Sequence, residues 1–117
     1  MHKLLPTLLL ALLPAMAESY YDRNGAYQGR TETDASGNTR FYDRSGAYQG
    51  RMQDSRYYDR NGAYQGRVQD GRFYDRNGAY QGRTQDGRYY DRNGAYQGRQ
   101  ENGRFYDRNG AYRGRKQ

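Results

Sequence analysis

Hydrophobic and polar positions follow one rule over the first 17 residues and another over the rest. Leu4 to Leu13 is nearly continuous Leu, interrupted by Pro6 and Thr7 and closed by Pro14. From Glu18 onward aliphatic residues almost vanish and aromatic ones recur in step. Tyr20–Arg30 reads YYDRNGAYQGR, and near-copies begin at 41, 57, 73, 89 and 105. The period is 16 residues, except that the connector Thr31–Arg40 lengthens the first step to 21. No window shows an apolar stripe of period 3.6, and Gly, costly inside a helix, recurs through every unit.

Turn chemistry punctuates the repeat instead. In Asp75-Arg76-Asn77-Gly78, Asp bonds the backbone two residues on, Asn suits the third position and Gly accepts positive φ. That is the signature of a three-residue hairpin loop, with a two-residue Asn-Gly turn as the competing register. The same turn residues recur as Asp59, Asn61, Gly62 and as Asp91, Asn93, Gly94. Thr84-Gln85-Asp86-Gly87 is read as a second turn of the same form. Each unit then holds two short strands, near 71–75 and 79–84 in one copy. The expected fold is all-β, with tandem 16-residue hairpins forming a meander or a β-solenoid. The longer connector is a longer hairpin loop or a hinge.

The three-residue register sets Asp75 opposite Ala79, Tyr74 opposite Tyr80 and Phe73 opposite Gln81. The next turn sets Gly82 opposite Tyr90 and Arg83 opposite Tyr89. One face then carries Tyr74, Tyr80, Gly82, Tyr90 and Tyr96. The other carries Phe73, Asp75, Gln81, Arg83 and Tyr89.

Composition sharpens this reading. Residues 18–117 contain no Leu, Ile, Pro, His, Cys or Trp, and only Val68 and three Phe among the large apolar types other than Tyr and Met52. Leu, Ile, Val and Phe far below roughly 20% is the signature of disorder, which is the alternative to a folded repeat. Against it stand the regular turn spacing and 15 Tyr, each able to bury a ring while its hydroxyl stays wet. Asp and Arg, adjacent in every turn, are expected to pair across neighbouring repeats.

Met1-His2-Lys3, the Leu run and Ala15-Met16-Ala17 match the n-region, h-region and small-x-small site of a secretory signal. The apolar run is short of a ~20-residue span. The expected division is a signal peptide at 1–17 and a six-unit repeat domain at 18–117, exported to a periplasmic or extracellular compartment.

The piece Asp86-Gly87-Arg88-Tyr89-Tyr90-Asp91-Arg92-Asn93-Gly94-Ala95-Tyr96-Gln97-Gly98 resembles the cell-wall-binding repeats of choline-binding and glucan-binding proteins. Those also read Gly-x-aromatic-Tyr-Tyr, a short turn ending in Gly, then a hydrophobic residue and another Gly. Here Arg67, Arg83 and Arg99 stand where that family carries Trp. The resemblance implies stacked hairpins with sugar or choline pockets between adjacent ones. A second resemblance, to the YD repeats of large secreted shell proteins, runs through Tyr-Asp-x-x-Gly.

Enzyme chemistry finds no purchase. Residues 18–117 offer no His base and no thiol, and the carboxylates recur identically rather than in one asymmetric set. No catalytic residue, cofactor or metal ligand is assigned: Asp-x-Asn-Gly lacks the closing Glu of a calcium loop and holds an Arg within it. Tyr beside Arg is the informative pairing. Tyr stacks on sugar faces, and Arg binds carboxylate or phosphate through two parallel hydrogen bonds. The contact set is therefore Tyr58, Tyr64, Arg67, Tyr74, Tyr80, Arg83, Tyr90, Tyr96 and Arg99. A regular array of weak sites suits a repetitive polymer. Envelope polysaccharide, or another anionic polymer, ranks first. Nucleic acid ranks behind it, because an Asp sits beside each turn Arg. The alternative is a structural protein that self-associates, since repeated strands, Gln ladders and little-altered terminal repeats could template assembly.

Overall fold

The computed structural model describes residues 16–117, with side chains from Ala17 onward. Met1–Ala15, most of the expected signal peptide, lie outside the described residues. Twelve strands follow in chain order. They are β1 (Met16–Asp22), β2 (Tyr27–Thr33), β3 (Thr39–Asp43), β4 (Tyr48–Gln53), β5 (Arg56–Asp59) and β6 (Tyr64–Gln69). Then come β7 (Arg72–Asp75), β8 (Tyr80–Gln85), β9 (Arg88–Asp91), β10 (Tyr96–Glu101), β11 (Arg104–Asp107) and β12 (Tyr112–Lys116). Each pairs antiparallel with its sequence neighbours, and β12 returns to β1 through Tyr20 opposite Lys116 and Tyr21 opposite Arg115. The all-β meander of hairpins is thus closed into a barrel, which replaces the β-solenoid alternative. The hairpins join edge to edge through backbone hydrogen bonds instead of stacking, and sheet twist with regular bulges carries the twelfth strand round to the first.

The three-residue loop forms as expected. The Asp75 N–H donates to Ala79 O at 2.9 Å, the Gly78 N–H donates to Asp75 O at 3.0 Å, and Gly78 has φ +85°. Tyr74 faces Tyr80. The long connector uses the same turn, with the Gly37 N–H donating to Asp34 O at 3.0 Å and β2 and β3 lengthened on either side. It is a longer hairpin, not a hinge.

Two features correct the rest of the register. Phe73 faces Gly82 rather than Gln81, because Gln81 is an extra residue bulged out of the ladder. The second turn has two residues, not three: Asp86 and Gly87 have φ +54° and +78°, the type I′ geometry, and Gln85 pairs with Arg88. In consequence Gly82 faces Asp91 and Arg83 faces Tyr90, not Tyr90 and Tyr89. Arg83 moves to the face of Tyr74, Tyr80, Tyr90 and Tyr96, and Gly82 moves to that of Phe73, Asp75 and Tyr89.

Ring contacts show which face is inside. Phe41 on β3 and Tyr57 on β5 have centroids 5.6 Å apart, and Tyr20 on β1 and Phe105 on β11 are 6.3 Å apart. Each pair reaches across an intervening strand, a span of about 10 Å in a flat sheet, so this is the concave face. Among the described residues no hydrophobic side chain is buried. The aromatics are half-buried except for the exposed Tyr27, and the sheet is held by its ladders and cross-strand pairs rather than by an oily centre.

The expected Asp–Arg pairing across repeats is not what forms. Among the described residues the ion pairs are Arg30–Glu32 at 3.1 Å and Lys116–Glu18 at 3.5 Å. The turn Asp is occupied otherwise: Asp75 Oδ1 accepts the N–H groups of Asn77 and Ala79, both at 2.9 Å, and Oδ2 accepts the Gln81 amide at 3.0 Å. These donors, the Ala79 N–H foremost, hold the Asp75 carboxyl below its ordinary value, and Asp59 and Asp91 are lowered in the same way.

Candidate functional site: an outer belt of arginine and tyrosine

The bulge and the two-residue turn together sort the outer wall into repeating rows. In the β5–β8 stretch Arg56 faces Arg67, Arg67 faces Tyr74, and Tyr74 faces Tyr80. One unit on, the row is Arg72, Arg83, Tyr90, Tyr96. The rows Arg40-Arg51-Tyr58-Tyr64, Arg88-Arg99-Tyr106-Tyr112 and Arg104-Arg115-Tyr21-Tyr27 repeat the order, the last across the closing seam. In the sixth, Ser19 takes the first place before Arg30, Tyr42 and Tyr48.

Within a row the side chains form a tight stack. The Arg67 guanidinium carbon lies 4.3 Å from the Tyr74 ring centroid, Arg83 4.3 Å from Tyr90, and Arg51 4.4 Å from Tyr58. Arg115 lies 4.5 Å from Tyr21, so the stack continues round the seam. The second Tyr of each row meets the first edge to face: Tyr58–Tyr64, Tyr74–Tyr80 and Tyr90–Tyr96 each have centroids 6.0 Å apart. A guanidinium on an exposed ring gains about 0.5–1 kcal/mol.

All nine contact residues expected from the sequence lie on this one outer face, though not as units of one hairpin. Arg67 belongs with Tyr74 and Tyr80 of the following hairpin, and Arg83 with Tyr90 and Tyr96. What sequence reasoning missed is the first Arg of each row: Arg40, Arg56, Arg72, Arg88 and Arg104. Each precedes an aromatic, and the Asp70-Gly71, Asp86-Gly87 and Asn102-Gly103 pairs before Arg72, Arg88 and Arg104, strong type I′ signals, would have fixed their face. Arg30 and Arg51 are further tied, Nε donating to Glu32 at 3.1 Å and to Gln53 at 3.2 Å.

Charge is segregated between the two faces. The outer strand positions hold eleven Arg, six after Gly and five before the aromatic, against Glu32 and Glu101. No protein-family model, curated protein or solved structure matches this chain.

Proposed function

We propose that this is an exported, non-catalytic binding protein whose outer belt grips an extended anionic polymer, foremost a polysaccharide of the cell envelope or surroundings. The observation that carries the reading is the set of directly opposed arginines. Five times over, two Arg face each other across neighbouring strands. Like charges set opposite one another destabilise a sheet, and a polymer carboxylate or sulfate bridging each pair removes that cost.

Geometry favours spaced charges. Successive rows lie two strands apart and two residues along, about 12 Å from pair to pair. Duplex DNA presents a charge every ~1.7 Å, a far denser pattern. Neutral sugar is a poorer fit, because the seam between adjacent hairpins, where the family resemblance implied pockets, holds the chain's own Arg67 on Tyr74. The outer wall also suits water rather than lipid, in which an Arg at mid-depth costs ~2–4 kcal/mol. The self-assembly alternative loses its simplest template, since closure leaves no strand edge to extend. Export rests on the Leu4–Leu13 run and the Ala15-Met16-Ala17 site. A cut after Ala17 removes two residues of β1 and leaves Glu18–Tyr21 paired with β2.

The test is titration of hyaluronate, which carries one carboxylate per disaccharide, against neutral dextran, duplex DNA and polyphosphate. The expected result is saturable, salt-sensitive hyaluronate binding, markedly weakened in Arg72→Gln/Arg83→Gln/Arg88→Gln, which disrupts two of the five Arg pairs. Equal binding of dextran, or undiminished affinity of the triple variant, overturns it.

A further inference from the structure

We propose that the outer tyrosine pairs are modification sites, at which a haem peroxidase and hydrogen peroxide couple the two rings of one hairpin into dityrosine. This is independent of what the belt binds. Of the 15 Tyr, Tyr20, Tyr57 and Tyr89 lie on the inner face, and the other twelve stand as six outer pairs. Within each pair the ring centroids are 5.9–6.0 Å apart and the planes are inclined by 61–63°. Tyr27 is exposed and its outer counterparts are half-exposed, open to an oxidant from solvent.

The inner face is arranged the other way. Its ring of aromatics runs Tyr20, Phe41, Tyr57, Phe73, Tyr89, Phe105, so Tyr and Phe alternate. Six units are an even number, and closure therefore sets Tyr20 beside Phe105, at 6.3 Å, and not beside another Tyr. Phe41 meets Tyr57 at 5.6 Å. Within its own hairpin an inner ring faces Gly, as Tyr57 faces Gly66 and Phe73 faces Gly82. Phe has no hydroxyl from which to lose a hydrogen, so an inner Tyr has no coupling partner beside it. An outer Tyr always has one.

The peroxide balances the coupling. Each phenol of a pair gives up its hydroxyl hydrogen, as one electron and one proton, to the peroxidase. The two phenoxyl radicals join through a carbon ortho to each oxygen. The proton on each joined carbon then moves to its oxygen and restores the phenol. Two phenols and one hydrogen peroxide give one dityrosine and two waters. A partner already held alongside makes the joining step effectively unimolecular, and torsional motion of half-exposed rings brings the ortho carbons together. Competing sinks are few: residues 18–117 hold no Cys, His or Trp, and the one Met, Met52, faces Tyr57 on the inner wall. A chain without Cys thus carries a covalent staple of another kind across each hairpin.

The test treats the purified full chain with a haem peroxidase and hydrogen peroxide, then digests it with trypsin, which cuts at the Arg between the two Tyr of a pair. Two of the second-Tyr peptides are unique in sequence: Ser45–Arg51, holding Tyr48, and Asn109–Arg113, holding Tyr112. Their structural partners, Tyr42 and Tyr106, lie in Phe-Tyr-Asp-Arg peptides, whereas the inner Tyr57 and Tyr89 lie in Tyr-Tyr-Asp-Arg peptides. Both unique peptides are expected joined to Phe-Tyr-Asp-Arg at least tenfold more often than to Tyr-Tyr-Asp-Arg. The product stays a single chain, lighter by two hydrogens per link, with dityrosine fluorescence. Tyr80→Phe, which keeps the ring and loses the hydroxyl, forms one link fewer than the parent, and Tyr57→Phe forms as many. Equal joining to both kinds of peptide, covalent oligomers with no internally linked monomer, an undiminished number of links in Tyr80→Phe, or no dityrosine at all overturns the proposal.

Discussion

Replacing Gly82 by Ala and, separately, Gly78 by Ala measures how closely the strands are held. Both glycines sit in one unit and both have positive φ, +144° and +85°. Their surroundings differ sharply. A Cβ on Gly78 meets nothing within 4 Å, whereas a Cβ on Gly82 lies 2.3 Å from the Tyr90 carbonyl oxygen and 3.3 Å from the Asp91 Cα. At Gly78 the cost is the left-handed conformation alone, about 1–2 kcal/mol. At Gly82 the conformation is close to glycine-only, about 1–3 kcal/mol, and β9 must also move away by more than half an ångström. That movement weakens the ladder that places Arg83 on Tyr90. We expect Gly82→Ala to cost at least 2 kcal/mol more than Gly78→Ala. For a domain of this size that is a further fall of at least about 8 °C in the melting midpoint. Both changes restrict the unfolded chain alike, so the difference reports the folded state. Urea titrations of the two variants supply the numbers. Equal costs would mean that the strands are not held this closely at Gly82, and the register built on it would fall.

Ser55, at φ +65° where the other units place Gly, should be relieved by Ser55→Gly, raising stability by about 0.5–1 kcal/mol in the same titrations. Arg83→Ala should cost about 0.5–1 kcal/mol through the lost stack on Tyr90, with Arg83→Lys recovering only part of it, as read by thermal melting. Acid should destabilise the barrel. The carboxyls of Asp22, Asp59, Asp75, Asp91 and Asp107 are lowered from 3.8 chiefly by the backbone N–H two residues past each Asn. A depressed folded value adds stability above the unfolded one and loses it as pH falls through the folded value. The melting midpoint should therefore hold from neutral pH to about 4 and drop below it, and Asp75→Asn should shrink that drop. A midpoint independent of pH between 5 and 2 would contradict this linkage.

How much of this was legible in the chain can be judged residue by residue. Asp75 and Gly78 announced their loop because both act locally: the carboxylate bonds nearby N–H groups, and glycine alone takes the bend without strain. Tyr74 opposite Tyr80 followed directly. Gln81 did not announce its bulge, since Gln has no special backbone preference and its partner, Asp75 Oδ2, becomes visible only once the turn is folded. One extra residue flips every later side chain to the other face, which is why Arg83 lies with Tyr90 and not with Phe73. Asp86-Gly87 did carry its own signal, and reading it as a two-residue turn would have corrected the second half of the unit. Closure was beyond reach, because β1 meeting β12 depends on accumulated twist over all six hairpins rather than on any local pattern.

Closure also changes what the repeats can do. In an open array the terminal units have one neighbour each, and every unit presents the same two faces to solvent. Once β12 pairs with β1, Arg115 reaches Tyr21 and the outer stack has no end. The belt is then a ring of nearly equivalent weak sites, and its strength on a polymer depends on how many rows one chain can touch at once. A rigid polymer meets only the rows on one side of the barrel, whereas a flexible one can follow the curve. Affinity should therefore rise with hyaluronate length up to roughly the number of rows within reach and then level off. A single outer change such as Arg83→Gln removes one row among several.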